Sequence, residues 1–467
     1  MNARMTRRQM LKLTGILGAS TVLAACAAPA APAAEAPAVG GEAASAPAQA
    51  ATEVVLMYQA NEISDPEIEQ YNADYAPYQI TRVDVDDTRF FAMFASGEAP
   101  DLLRVQAPAI PQMFARGMLL NLQPFFDTSE TLKQDDLTDV NNYYRVVDAL
   151  NTGSGDLYGM VKDWAPDTFT WVNETVFEKA GMAAPDLSTP QSETDMLELL
   201  RAVTTKEGDQ TVTMGFDTAT GFIDRFWMTM AKNVGSSLYS EDFESINVVG
   251  NEAVTDAIAY FFNMAKEGVM TSPLNPSPAW FGPDFVAGRL AVVWTGYWFH
   301  GFVVGDPDEA FKAAAAEGKI KMYPNFTWKG VRNNPCVTAT GAIASSQTKN
   351  PDATWSVFEW FMGKEPAQNR AKSGWGLPGL KSLYPLIPQE SPVSSFAWQT
   401  IQDEAPYSGD TLAFNPYLAG GEPMVPGQVY FQNLEQALKD EMSLDDLLAL
   451  IESETNIAIQ EGKDRIG

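Results

Sequence analysis

One histidine, His300, and two cysteines, Cys26 and Cys336, are all that this 467-residue chain holds of two residue types central to zinc binding and nucleophilic catalysis. A disulfide framework is excluded, and so is a Cys/His zinc site. A Ser-His-Asp triad would have to use His300, and no G-x-S-x-G elbow accompanies it. No catalytic residue, metal site or cofactor is therefore assigned. Basic residues are scarce too, with 31 Lys and Arg against 60 Asp and Glu and a formal charge of −29. A body that acidic repels phosphate backbones, so no nucleic-acid partner is expected. No stretch beyond the N-terminus is apolar for long enough to span a bilayer. What the chain does have is 45% hydrophobic and 11% aromatic residues, a globular composition with length for two or three domains.

The bases that exist are partly concentrated at the start. Arg4, Arg7, Arg8 and Lys12 precede or enter an apolar stretch over 11–25, with no acid among the first 25 residues. A basic segment, a short apolar core and small residues at its end make an export signal. The pair Arg7-Arg8 resembles a twin-arginine signal, and Leu23-Ala24-Ala25-Cys26 resembles a bacterial lipoprotein box. Residues 1–25 are read as the signal peptide and Cys26 as the lipidated first mature residue. Residues 26–52, almost wholly Ala, Pro, Gly, Ser, Glu and Gln, are read as a flexible tether. The expected location is the outer face of the cytoplasmic membrane or the periplasm, with the lipid as anchor.

The body then alternates. A strand is predicted over 53–58, a helix over 64–75, a strand over 79–85, an apolar helix from 90 stopped by Gly97 and Pro100, and a further strand. That order predicts an α/β fold with a mostly parallel sheet. Later helices are predicted near 190–203, 254–265, 351–363 and 443–451 from apolar residues at helical spacing. The stretch 285–300, FVAGRLAVVWTGYWFH, reads as a buried strand broken by Gly296 and followed by three aromatics and His300. In open α/β sheets that edge is where ligands sit, and aromatic faces there can stack on a sugar ring. Trp294, inside the strand, is read as core.

Five segments, in order, resemble the extracellular solute-binding proteins of ABC importers, the maltose-binding-like family: ASGEAPD at 95–101, RGMLLNL at 116–122, LYGMVKDW at 157–164, VNETVFEKAG at 172–181 and FVAGRLAVVWTGYW at 285–298. Val161, Val172 and Val292 depart from that pattern. The resemblance implies a two-lobed periplasmic-binding-protein-like fold of type II. Its discontinuous lobes would be 53–165 with 340–390, and 166–339 with 391–467. Hinge crossings would fall near 163–167, 337–341 and 387–402.

It further implies a sugar held between lobes that close on it, and a membrane permease as partner. From the first lobe Asn61, Glu62, Gln106, Asp163 and Trp164 are the expected contacts. Tyr297, Trp298, Trp375 and Tyr430 are expected opposite them, with Trp298 foremost, His300 a weaker candidate, and Trp280-Phe281 in a loop that could act as a lid. Polyamine, glycerophosphoryl and peptide ligands stay open as alternatives, although Arg82, Arg89, Arg104 and Arg289 show no clustering in sequence. An exported glycosidase working through paired carboxylates is the remaining alternative.

Overall fold

A computed structural model describes residues 51–466 apart from 209, 278, 279 and 410. The export signal, Cys26 and nearly all of the tether lie outside the described residues. Two sheets organise the body, one per lobe. The first has six strands, in the order Leu377–Pro378, Gly159–Trp164, Thr340–Ala344, Leu102–Val105, Thr52–Met57 and Tyr78–Val83. The second has five, in the order Ile320–Tyr323, Phe169–Asn173, Leu290–Thr295, Gln210–Thr218 and Thr205–Glu207.

Both sheets are mixed, which corrects the mostly parallel expectation. Thr52–Met57 runs parallel to both of its neighbours. Thr340–Ala344, however, runs antiparallel to both of its own. The reason is connectivity: the chain returns to the first sheet from the second lobe, so this strand enters from the opposite end. The chain passes between the sheets at 165–168, again between Tyr323 and Thr340, and a third time after Pro378, where helix Pro392–Glu404 packs on strand Ile320–Tyr323.

Local signals set the elements that frame the cleft. Helix Asp65–Asp74 begins at Ser64 in a capping box with Glu67. Helix Asp87–Ser96 ends on Gly97 in the left-handed conformation. Strand Leu290–Thr295 is buried along its whole length, and Trp294 is core, its Nε1 donating to Asn325 Oδ1 at 2.8 Å. One element differs from expectation: Trp280-Phe281 opens helix Phe281–Val286 rather than lying in a loop. Tyr430 falls in the middle of helix Val425–Leu438. Among the described residues no helix is long and apolar enough to cross a membrane.

Candidate functional site

The first strand ends at Met57, and the turn after it carries Gln59, Asn61 and Glu62 to the cleft. Glu62 is buried, and three basic side chains converge on it. Arg104, on the neighbouring strand, reaches it with Nε 2.8 Å from Oε2 and a terminal nitrogen 3.3 Å from Oε1. Arg370, on helix Glu365–Ser373, lies 3.7 Å from Oε1. Lys162 donates to the Glu62 carbonyl at 2.6 Å. Asp163 completes the floor, its Oδ2 accepting from Arg370 Nε at 2.8 Å. Burial alone would raise the Glu62 carboxyl, but Arg104, Lys162 and Arg370 outweigh it, so it sits below the usual carboxylate range. Burial, with Arg370 second, brings the Lys162 ammonium down to about 8. The floor is thus a charge cluster whose members largely neutralise one another.

The ring-bearing wall comes from other segments. Gly296 turns the chain sharply after strand Leu290–Thr295; a Cβ there would lie 2.6 Å from Asp167 Oδ1 and 2.8 Å from Trp298 Cδ1. That turn delivers Trp298, half-buried, to the cleft, with Trp280 stacked beside it at 6.4 Å between ring centroids. Trp375, expected beside Trp298 on the second lobe, comes instead from the first, where its helix Glu365–Ser373 packs beside strand Gly159–Trp164 and ends at Gly374 with φ 70°. Its indole lies flat against Gly301, where a Cβ would come within 2.4 Å of the ring. His300 is fully buried, its Nε2 2.9 Å from Ser394 Oγ. Burial holds it down to about 4, so it stays neutral through the physiological range and acts as packing for this loop.

Asn61, Glu62, Gln106, Asp163, Trp164, Trp298 and Trp375 therefore surround one chamber of about 240 Å³. Tyr297 and Tyr430 do not join them. Tyr297 is fully buried and stacks on His300 at 5.0 Å. Tyr430 faces inward from its helix and packs edge-on against Trp227. Sequence reasoning missed Arg370, Thr338, Thr340, Phe222 and Glu422, all on the chamber wall. Of these only Glu422 had a local signal, the Gly420-Gly421-Glu422-Pro423 loop. Arg104, isolated in sequence, is brought beside Arg370.

Two buried side chains tie the surroundings together. Asp167, in the first crossing, accepts from the Val337 N–H at 2.7 Å and from Thr338 Oγ1 at 3.0 Å, joining it to the second crossing. Arg225, from the second lobe, donates to Gln106 Oε1 at 3.1 Å and to the Gly421 carbonyl at 3.0 Å. Its link to Gln106 reaches across the cleft.

The sequence matches the family described as bacterial extracellular solute-binding protein over residues 68–393. No curated protein matches it in sequence. In structure it is similar to an ABC substrate-binding protein from Listeria monocytogenes in complex with cycloalternan, with TM-score 0.70 and 16% identity over 88% of this chain and 99% of that one. An ABC transporter solute-binding protein from Thermotoga lettingae bound with α-D-tagatose gives TM-score 0.66 and 14% identity over 88% and 100%. The galacto-N-biose/lacto-N-biose I-binding protein of Bifidobacterium longum, in complex with lacto-N-biose, gives 0.64 and 13% over 89% and 98%.

Proposed function

This chain belongs to the bacterial extracellular solute-binding proteins, and from that premise we propose that it is the receptor of an ABC importer, capturing a neutral mono- or oligosaccharide in the cleft and delivering it to a membrane permease. One observation carries the ligand class: three indoles, Trp164, Trp298 and Trp375, border the same chamber as Asn61, Gln106 and the Glu62–Asp163 floor. Flat rings suit the C–H faces of a sugar, and fixed carboxylates and amides suit its hydroxyls. The sugars bound in the three structural relatives support the same class. Closure would follow from rotation about the three crossings, because only the closed form touches the ligand from both lobes.

Arg104 and Arg370 are already paired with Glu62 and Asp163, which leaves neither of them free for a glycerophosphoryl group. A glycosidase needs one carboxyl raised to act as general acid, and Glu62 is lowered instead. On this reading the protein binds its ligand and releases it unchanged.

Calorimetry against a panel of mono- and oligosaccharides tests this. At least one sugar should bind, and Trp298→Ala should weaken it by about 10–100-fold, the worth of one buried ring face. Silence from every sugar alongside binding of another solute class would remove the assignment. Gly301→Ala supplies a subtler check. Its added methyl displaces the Trp375 ring, so affinity should fall about tenfold and the fold should lose about 1–3 kcal/mol.

Export and anchoring belong to the same reading: lipid on Cys26, a tether, and the folded body outside the membrane. Radiolabelled palmitate should be incorporated by the full chain in its bacterial host and not by Cys26→Ser. Equal labelling of the two would end the anchor.

A further inference from the structure

Arg225, on helix Ile223–Asn233 of the second lobe, is fully buried. Among the described residues no carboxylate lies within ion-pair distance of its guanidinium. Its partners are neutral oxygens instead: the Gly421 carbonyl at 3.0 Å, the Val337 carbonyl at 3.3 Å and Gln106 Oε1 at 3.1 Å. The Phe222 ring, on the chamber wall, lies 4.9 Å from its charge centre. Burying a cation without an acid is costly, and this one is held where the two lobes meet.

Gln106 is where that geometry acts. It follows strand Leu102–Val105 on the first lobe and borders the polar chamber. A guanidinium has donors only, so the amide atom that meets it must be the oxygen. With Oε1 tied, the polar side-chain atom that Gln106 has left is Nε2. Among the described residues Nε2 has no hydrogen-bond partner, and unlike the buried orphans of this fold it keeps accessible surface. An untied amide could turn either atom to a ligand; this one offers a donor. The tie also depends on closure. Gly421 precedes helix Val425–Leu438, which packs on Arg225's own helix, so parting the lobes would keep that bond and break the one to Gln106.

We propose that Arg225 is a positioning residue for ligand selection: with the lobes shut it fixes the Gln106 amide so that Nε2 donates to a hydroxyl oxygen of the sugar, and with the lobes open it lets the amide turn. Recognition at Gln106 is thereby conditional on closure. This rests on the carbohydrate reading above and deepens it.

The test titrates the exported, full-length protein with the common hexoses and pentoses, then with monodeoxy and monodeoxyfluoro forms of whichever binds. Fluorine on carbon accepts weakly and cannot donate, whereas hydrogen on carbon does neither. At the hydroxyl that meets Gln106, the fluoro sugar should bind about 3–10-fold tighter than the deoxy one. Gln106→Glu keeps the tie, since a carboxylate oxygen also accepts from Arg225, but it turns an acceptor to the sugar. The order should reverse, the fluoro sugar falling behind the deoxy one. Arg225→Met frees the amide and should bring the two analogues to within about twofold of each other. A merely structural role for Arg225 would weaken both alike and keep their ratio, which would overturn the proposal. Should Arg225→Met fail to fold, Gln106→Glu decides alone. A sugar that binds with no position showing this order, or an order untouched by Gln106→Glu, would overturn the proposal and leave the carbohydrate reading standing. No sugar binding in any form would bring down both.

Discussion

An Arg370→Met variant is expected to unfold about 3 kcal/mol more easily than the parent, and to lose most of its ligand affinity with it. Among the described residues Arg370 is the only cation in an ion pair with the Asp163 carboxylate, and it is a third partner to Glu62; the side chains of Arg370, Asp163 and Glu62 are 12%, 8% and 3% exposed. Removing it leaves Asp163 buried without a direct ion-pair partner, the situation in which a lost ion pair costs most, although Arg104 and Lys162 still act on it from farther off. The figure sits at the low end of the range because the cleft admits water to one side of the cluster. Glu62 suffers less, since Arg104 still grips it through two nitrogens. Urea denaturation measures the loss, and a second substitution apportions it. Asp163→Asn on top of Arg370→Met removes the stranded charge, so the double variant should recover more than half of the stability. A single-variant cost below about 1 kcal/mol would mean that solvent screens the floor and that Arg370 is dispensable.

The same cluster shows what the sequence could and could not reveal. The strand over 290–295, the break at Gly296 and the delivery of Trp298 are all local, and burial pattern plus one glycine is enough to read them. The Gln59–Glu62 turn is local in the same sense, since it follows a strand and precedes a capped helix. Arg370 is different. It lies on a polar helix with no motif, and only the packing of Glu365–Ser373 beside strand Gly159–Trp164 turns it toward Asp163. Separations of 207 residues to Asp163 and 119 between Arg225 and Gln106 carry no pattern along the chain. Tyr297 was misread for a related reason. Adjacency to a ligand-facing residue puts a side chain near the cleft, but the turn sends consecutive side chains in opposite directions, and Tyr297 points back to His300. The parallel sheet failed because strand direction depends on which lobe a strand enters from, which alternation of strands and helices does not encode.

Raising the pH from about 4.5 to 7.5 should destabilise the fold, and Asp167→Asn should flatten that slope. Burial pushes the Asp167 and Asp217 carboxyls up to about 7 and that of Asp224 up to about 6, against opposing hydrogen bonds. In the unfolded chain each would titrate near ~3.9. Between those values the folded protein holds protons that the unfolded chain has released. Their stabilisation is complete below the unfolded value and lost as pH climbs through the folded one. For one such group the loss is about 1.4 kcal/mol per pH unit across the window. His300 works the other way inside this window, since burial holds it down to about 4 against about 6.5 in the unfolded chain. Its contribution grows as pH rises to that value and offsets the loss from one of the three carboxyls. Glu62, held low by its arginines, also opposes the trend but only below the ordinary glutamate range. Repulsion within a chain of charge −29 adds to the downward trend, and for that reason the variant matters more than the profile. Asp167 Oδ2 accepts from Val337 and Thr338, and an amide oxygen can do the same. Oδ1 is buried with no partner, so burying it as a charge is what costs. Asp167→Asn removes that charge while keeping the tie between the first two crossings. Urea unfolding at intervals across this range should show the variant releasing nearly one proton fewer than the parent. Parallel profiles would mean that Asp167 is ionised throughout and that the tie between the crossings holds a buried charge after all.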